Sequence, residues 1–195
     1  MAPVTQTLLL ANIAVFLLQS VAEPLLIAYF ALWPLHTGEG IDSAGFAPWQ
    51  LVTYAFLHGS LLHILFNMMW VRQLGPPTAE IYGPGRMVIV YTVAGVVGFL
   101  LSSLAGEFLG WMPIWFLRGA GQTLGASASI FGLLGALVYY GRRSGSSMVH
   151  REAMGYPVAL FVMGLILPGV DNYAHAGGFV GGYLAGAWLD PLKPE

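Results

Sequence analysis

The 195-residue chain is 57% hydrophobic and 8% charged, whereas a soluble domain carries about 25% charged residues. This composition places it in the membrane class, and a net charge of −2 argues against a nucleic-acid partner. It has no cysteine, which excludes disulfides and thiolate metal sites.

A helix that crosses the hydrocarbon needs roughly 20 mostly apolar residues. Six stretches are candidates within one domain spanning 1–195, and they predict an all-α membrane bundle. The first is 6–22; no Lys or Arg precedes it, so it reads as a span rather than a cleaved leader. Residues 23–60 follow without Lys or Arg but with Tyr29, Phe30, Trp33, Phe46, Trp49, Tyr54 and Phe56. Aromatic side chains favour the membrane interface, so this long segment reads as embedded in the outer leaflet. Within it, 25–35 predicts an in-plane helix ended by Pro34.

The second span, 61–82, contains His63 and Asn67 and ends at the turn Gly83-Pro84-Gly85. The third is 87–104. Residues 107–121, with Trp111 and Trp115, form a second interfacial segment. The fourth span, 127–140, is short; it opens on Ser127 and ends at Gly141-Arg142-Arg143-Ser144-Gly145. The fifth is 156–170, and the sixth, 172–189, contains His175. No internal repeat or low-complexity tract interrupts them.

The basic residues orient this array. With the N-terminus in the cytoplasm, Arg86, Arg142, Arg143, Arg151 and Lys193 fall on the cytoplasmic side and Arg72 in the inner half of its span. Arg118 alone lies outside. The positive-inside rule therefore predicts both termini in the cytoplasm. His63, Ser127 and His175 then share one depth, at the outer ends of three spans.

Polar and ionisable groups inside hydrocarbon are costly and mark functional sites. His63 and Asn67, four apart, share a helix face and both can donate hydrogen bonds. The pair can hold an oxyanion, or it can serve as a polar helix contact. Ser127 follows Gly125 in a G-x-S pattern that permits a tight turn, and it opens a helix whose free N–H groups favour negative charge. Ser129, the competing serine, points roughly 200° away around the helix. Asp171, four residues before His175, can orient the imidazole or cap the sixth helix. Gly178, Gly182 and Gly186 continue the His175 face, opposite a stripe of Ala128, Gly132 and Ala136. Small residues let two helices approach closely, which brings His175 towards Ser127, where it can act as general base. Phe131 lies one turn after Ser127 and can pack on the His175 ring. His58 and His63 lack a carboxylate-rich cluster and H-E-x-x-H is absent, so no metal is expected. His36 and His150 lie in loops.

Three stretches resemble the rhomboid family of intramembrane serine proteases. His58 to Asn67 resembles the H-x4-H-x3-N motif of its second helix, Gly125-Ala126-Ser127-Ala128 its G-x-S-x nucleophile motif, and Ala174-His175-Ala176-Gly177-Gly178 its A-H-x-G-G motif. Their order covers essentially the whole chain. The resemblance implies a six-helix rhomboid core with a membrane-embedded first loop. It implies Ser127 as nucleophile, His175 as base in a dyad, and an oxyanion hole of His63, Asn67 and the Ser127 N–H. Gly125, Phe131, Gly178 and His58 would support them, with no cofactor. The expected partners are transmembrane protein substrates within the lipid bilayer, cut near the outer face, and the expected setting is a prokaryotic inner membrane. There are departures. Ala128 stands where many members have glycine, Trp49 is followed by Gln50 rather than arginine, and Glu80 is offset from a glutamate often found near that helix end. Inactive relatives generally lose the serine or the histidine, and this chain keeps both. Another class is a non-catalytic scaffold that binds transmembrane clients. A transporter would want an inverted repeat or a midplane ion site, and the sequence shows neither.

Overall fold

The computed structural model describes residues 2–31, 47–167 and 169–193. Its elements are α1 (Pro3–Phe30), α2 (Gln50–Thr53), a 3₁₀ turn (Tyr54–Phe56), α3 (Leu61–Tyr82), α4 (Pro84–Leu109), α5 (Ser127–Arg143), α6 (Ser147–Ile166) and α7 (Asn172–Trp188). The fold is the predicted all-helical bundle.

α1 runs past its expected end. It breaks at Ala22 (φ −128°, ψ 34°), two residues before Pro24. Proline has no N–H for the carbonyl four residues back and clashes with it, which kinks the helix without ending it. The predicted in-plane helix at 25–35 is thus, as far as Phe30, the distal arm of α1; Trp33, Pro34, His36 and Phe46 lie outside the described residues. The buried residues of α1 are Thr5, Asn12 and Gln19, spaced by seven, while Leu10, Leu17, Leu18, Val21 and Leu25 are exposed. The helix therefore turns a polar stripe inward and an apolar face outward, as a lipid-facing helix must.

The chain returns through α2, which is lashed to the end of α1. Trp49 Nε1 and Gln50 Nε2 donate to the Tyr29 carbonyl at 2.9 and 3.3 Å, and Thr53 Oγ1 donates to the Phe30 carbonyl at 2.9 Å. Carbonyls at a helix C-terminus lack intrahelical donors, and these side chains supply them. α2 with its 3₁₀ turn meets α3 at a 100° bend.

Pro76 and Pro77 stay inside α3, and the Thr78 hydroxyl bonds the Leu74 carbonyl at 2.7 Å. Gly83, at φ 85°, makes the reversal into α4, with Pro84 as the first helical residue. α6 starts nine residues before the predicted fifth span and ends four before its close. An apolar window marks the buried or lipid-facing part of a helix, and the helix itself continues through polar residues at the N-terminal side.

α5 is the central element. Twelve of its seventeen residues are buried, from Ala128 to Gly141, the pattern of a helix surrounded by others. α7 packs on it at near backbone contact. A Cβ on Gly178 would collide with the Ala128 carbonyl, one on Gly182 with Gly132, and one on Gly186 would lie 3.0 Å from Ala136 Cα. α4 closes against both: a Cβ on Gly98 would lie 2.5 Å from the Ala174 carbonyl oxygen and 2.8 Å from Ala128 Cβ. The larger apolar core, with Val71, Leu74, Met87, Leu133 and Leu134, joins α3, α4, α5 and their neighbours. A smaller one, Tyr54, Ala55, Phe99, Ala128 and Ala174, underlies the Ser127 end.

At the other end, Arg143 Nε donates to Asp190 Oδ2 at 3.3 Å. Burial pushes the Asp190 carboxyl up, but the Leu192 N–H, Tyr139 and the Arg143 guanidinium outweigh it and hold it below the usual carboxylate range.

Among the described residues, Pro3–Phe30 and Pro84–Leu109 are each long and apolar enough to cross a membrane, and the bent pair Gln50–Phe56 with Leu61–Tyr82 makes a third when counted as one span. α5 and α7 have 17 residues each, about 25 Å at 1.5 Å per residue. These two are shielded by their neighbours along much of their length.

Candidate functional site

Ser127 is the first residue of α5. Its approach is set by Gly125, whose φ of 118° is a conformation that side-chain-bearing residues avoid. The Gly125 N–H donates to the Tyr54 carbonyl at 2.9 Å, and the Tyr54 hydroxyl donates to the Gly95 carbonyl at 2.9 Å. One buried tyrosine thus anchors the loop before Ser127 to α4.

His63 and Asn67 converge on this glycine from α3. A Cβ on Gly125 would lie 2.7 Å from His63 Cε1, 2.8 Å from His63 Nε2 and 3.8 Å from Asn67 Nδ2. Ser60 caps α3, its hydroxyl accepting from the His63 N–H at 3.1 Å. The Gly59 N–H donates to His63 Nδ1 at 3.3 Å. With Nδ1 accepting, the neutral ring carries its proton on Nε2, the nitrogen that faces Gly125. Asn67 uses one amide hydrogen on the His63 carbonyl, 3.0 Å away, and retains the other. Two side-chain donors therefore flank the segment two residues before Ser127.

His175 lies in the first turn of α7, 8% exposed. Its ring stacks on Phe131, with centroids 4.2 Å apart and planes at 12°. Phe131 and Ser127 are four apart on α5 and so share a face. The Ala128–Gly178 contact brings the two helices together at this level. The arrangement sets a serine at a helix N-terminus, the His175 imidazole and two side-chain N–H donors, the His63 ring and the Asn67 amide, around one end of the α5–α7 interface, the parts that acyl transfer to serine uses.

Asp171 caps α7, accepting from the Ala174 N–H at 2.9 Å. It does not orient the imidazole, since His175 Nδ1 has no partner. Ser129 is turned away from His175: its hydroxyl lies 2.7 Å from where a Gly95 Cβ would stand, on the α4 side. The Ala128 methyl faces Gly98 on α4.

His58 is 1% exposed. Its Nδ1 donates to the Phe56 carbonyl at 3.3 Å, and its ring stands edge-on to His63 with centroids 5.1 Å apart. Its backbone exchanges two bonds with the Gln19 amide: the His58 N–H to Oε1 at 3.0 Å, and Nε2 to the His58 carbonyl at 2.9 Å. The sequence does not mark Gln19 or Tyr54 as a site residue. The seven-residue spacing of Thr5, Asn12 and Gln19 is the signal that points to Gln19. Nothing local marks Tyr54 apart from the other aromatics of its segment.

A family model described as "Rhomboid domain" matches residues 46–191. The rhomboid protease GlpG of Klebsiella pneumoniae is 28% identical over 199 residues, covering 97% of this chain and 64% of that protein. The rhomboid protease GluP of Bacillus subtilis is 29% identical over 144 residues, 72% of this chain and 26% of that protein. RHOMBOID-like protein 7 of Arabidopsis thaliana is 34% identical over 146 residues, 72% of this chain and 42% of that protein. The chain thus spans between about a quarter and two thirds of the length of these curated relatives.

Proposed function

This chain belongs to the rhomboid family, and on that premise we propose that it is an intramembrane serine endopeptidase acting on transmembrane proteins. It is an integral membrane protein. The observation that carries the reading is the convergence of His63 and Asn67 on Gly125, with His175 stacked on Phe131 one turn from Ser127.

In this reading Ser127 Oγ attacks the scissile carbonyl while His175 takes its proton. The oxyanion forms against the Ser127 N–H, His63 Nε2 and the free Asn67 N–H. These donors are held before the reaction begins, so no reorganisation accompanies the charge. His175 then returns the proton to the leaving amine, and water hydrolyses the acyl-enzyme with His175 again as base. Six crossings with both termini in the cytoplasm put this chemistry near the outer face, in keeping with the distribution of Lys and Arg. The substrate helix enters sideways between α3 and α6 and unwinds locally, because a helical peptide bond is shielded and hydrogen-bonded. The Trp70–Tyr156 ring contact, at 5.1 Å, would be the floor of that entrance.

A serine-directed fluorophosphonate probe on the purified protein tests the nucleophile. Labelling is expected in the wild type and in Ser129→Ala, and none in Ser127→Ala. A wild type that takes no label but binds transmembrane clients would instead be a scaffold. The oxyanion assignment predicts that Asn67→Ala lowers kcat by roughly 10²–10³ at little-changed KM; full activity in that variant would remove Asn67 from the site.

A further inference from the structure

A second polar cluster lies just ahead of the two residues assigned to the dyad. The Asp171 carboxylate uses both oxygens. Oδ1 accepts the Ala174 N–H at 2.9 Å, and Oδ2 accepts the Thr123 hydroxyl at 2.6 Å and the Ser102 hydroxyl. The Ser102 and Thr123 oxygens are themselves 2.8 Å apart. Both residues are buried. They come from three parts of the chain: Ser102 from α4, Thr123 from the loop before α5, and Asp171 from the N-cap of α7.

The register of this cluster matters. Thr123 is four residues before Ser127, and Asp171 is four residues before His175. A single carboxylate therefore ties together the two segments that deliver the nucleophile and the base, and Ser102 fixes both to α4. Yet the carboxylate makes no hydrogen bond to the imidazole Nδ1, which has no partner, and the ring stacks on Phe131. A bond to a charged acceptor is short and strong, so this tie resists separation of the two segments better than a neutral contact would.

We propose that Asp171, Thr123 and Ser102 form a clasp that sets the spacing of Ser127 and His175, with Asp171 a positioning residue rather than the acid of a triad. This rests on the protease reading above. A misplacement of about 1 Å in such a site costs about 10²-fold in rate, and that is the effect expected when the clasp opens.

The test uses the purified full chain in detergent, at a temperature well below its melting point. The rate of fluorophosphonate labelling at Ser127 is measured together with kcat and KM on a transmembrane substrate. Thr123→Val, which keeps shape and loses the hydroxyl, is expected to slow labelling and kcat by about 10² with KM unchanged. Thr123→Ser should restore most of the rate. Adding Thr123→Val to Asp171→Ala should cost nothing further, because the clasp is already open. Ser102→Ala supplies the same measurement should Thr123→Val fail to fold.

A purely structural role would lower the melting temperature and leave labelling below it intact, which overturns the clasp. A triad role for Asp171 would slow Asp171→Ala while sparing Thr123→Val and Ser102→Ala, and this also overturns it. A wild type without label at Ser127 defeats the protease reading and the clasp with it. A labelled wild type with equally fast Thr123→Val and Ser102→Ala defeats the clasp alone.

Discussion

His175→Ala is expected to leave the protein folded and to lower kcat on a transmembrane substrate by a factor on the order of 10⁶, the scale seen when a serine nucleophile loses its base. Without the imidazole the Ser127 hydroxyl has no group to take its proton, and no acid or base among the described residues replaces it. Asp171 is occupied by Ala174, Thr123 and Ser102. His63 has its Nδ1 engaged by Gly59 and faces Gly125 as a donor. The structural loss is small by comparison: one stacking contact with Phe131, about 0.5–1.5 kcal/mol beyond the area it buries. Thermal melts in detergent and turnover measured on the same sample separate the two effects. A His175→Ala variant with more than a hundredth of wild-type turnover would exclude His175 as the base.

The largest loss of stability is expected from Gly182→Val. α7 rests on α5 with backbone against backbone here, and any Cβ on Gly182 collides with Gly132. Nor can Gly132 give way, because it is itself pressed against Ala94 on α4. Overpacking a tight interior costs about 1–3 kcal/mol when side chains can shift. At this position the obstacle is backbone, so more than about 3 kcal/mol is expected, or roughly 10 °C in melting temperature. Gly155→Val is the control: among the described residues, no atom beyond its own stretch of helix backbone lies within 4 Å of a Cβ placed there, and its melting temperature should hardly change. Equal melting temperatures for the two variants would mean that the α5–α7 contact is looser than described.

Much of this protein is legible along the chain because its strongest signals are local. Apolarity marks the helices, and α3 begins and ends where the apolar stretch and Gly83 place it. The spacing of Gly178, Gly182 and Gly186 against Ala128, Gly132 and Ala136 foretells which faces of α7 and α5 meet. Helix ends are less legible. α1 passes its expected end because Pro24 bends it without stopping it, and α6 begins among polar residues that an apolar window omits.

The candidate site divides along the same line. Ser127, His175, His63 and Asn67 stand out in the sequence because a polar group in an apolar run is conspicuous. The residues that hold them do not. Gln19 grips the His58 backbone from 39 residues away, Tyr54 anchors Gly125 and reaches Gly95, and Ser102 meets Asp171 across 69 residues. Each is an ordinary polar or aromatic residue where it stands, and its importance depends on which helices lie beside it.

By itself, then, the amino-acid order determined the membrane class, the positions of the helices and which polar residues are candidates for the site, because hydrophobicity and spacing are properties of neighbouring residues. Only the tertiary structure decided that His63 and Asn67 face Gly125, that the Ala128 methyl turns toward α4, and that Asp171 binds two hydroxyls instead of the imidazole. Those outcomes depend on how α3, α4, α5 and α7 stack, and close backbone approach at glycine leaves them little freedom to stack otherwise.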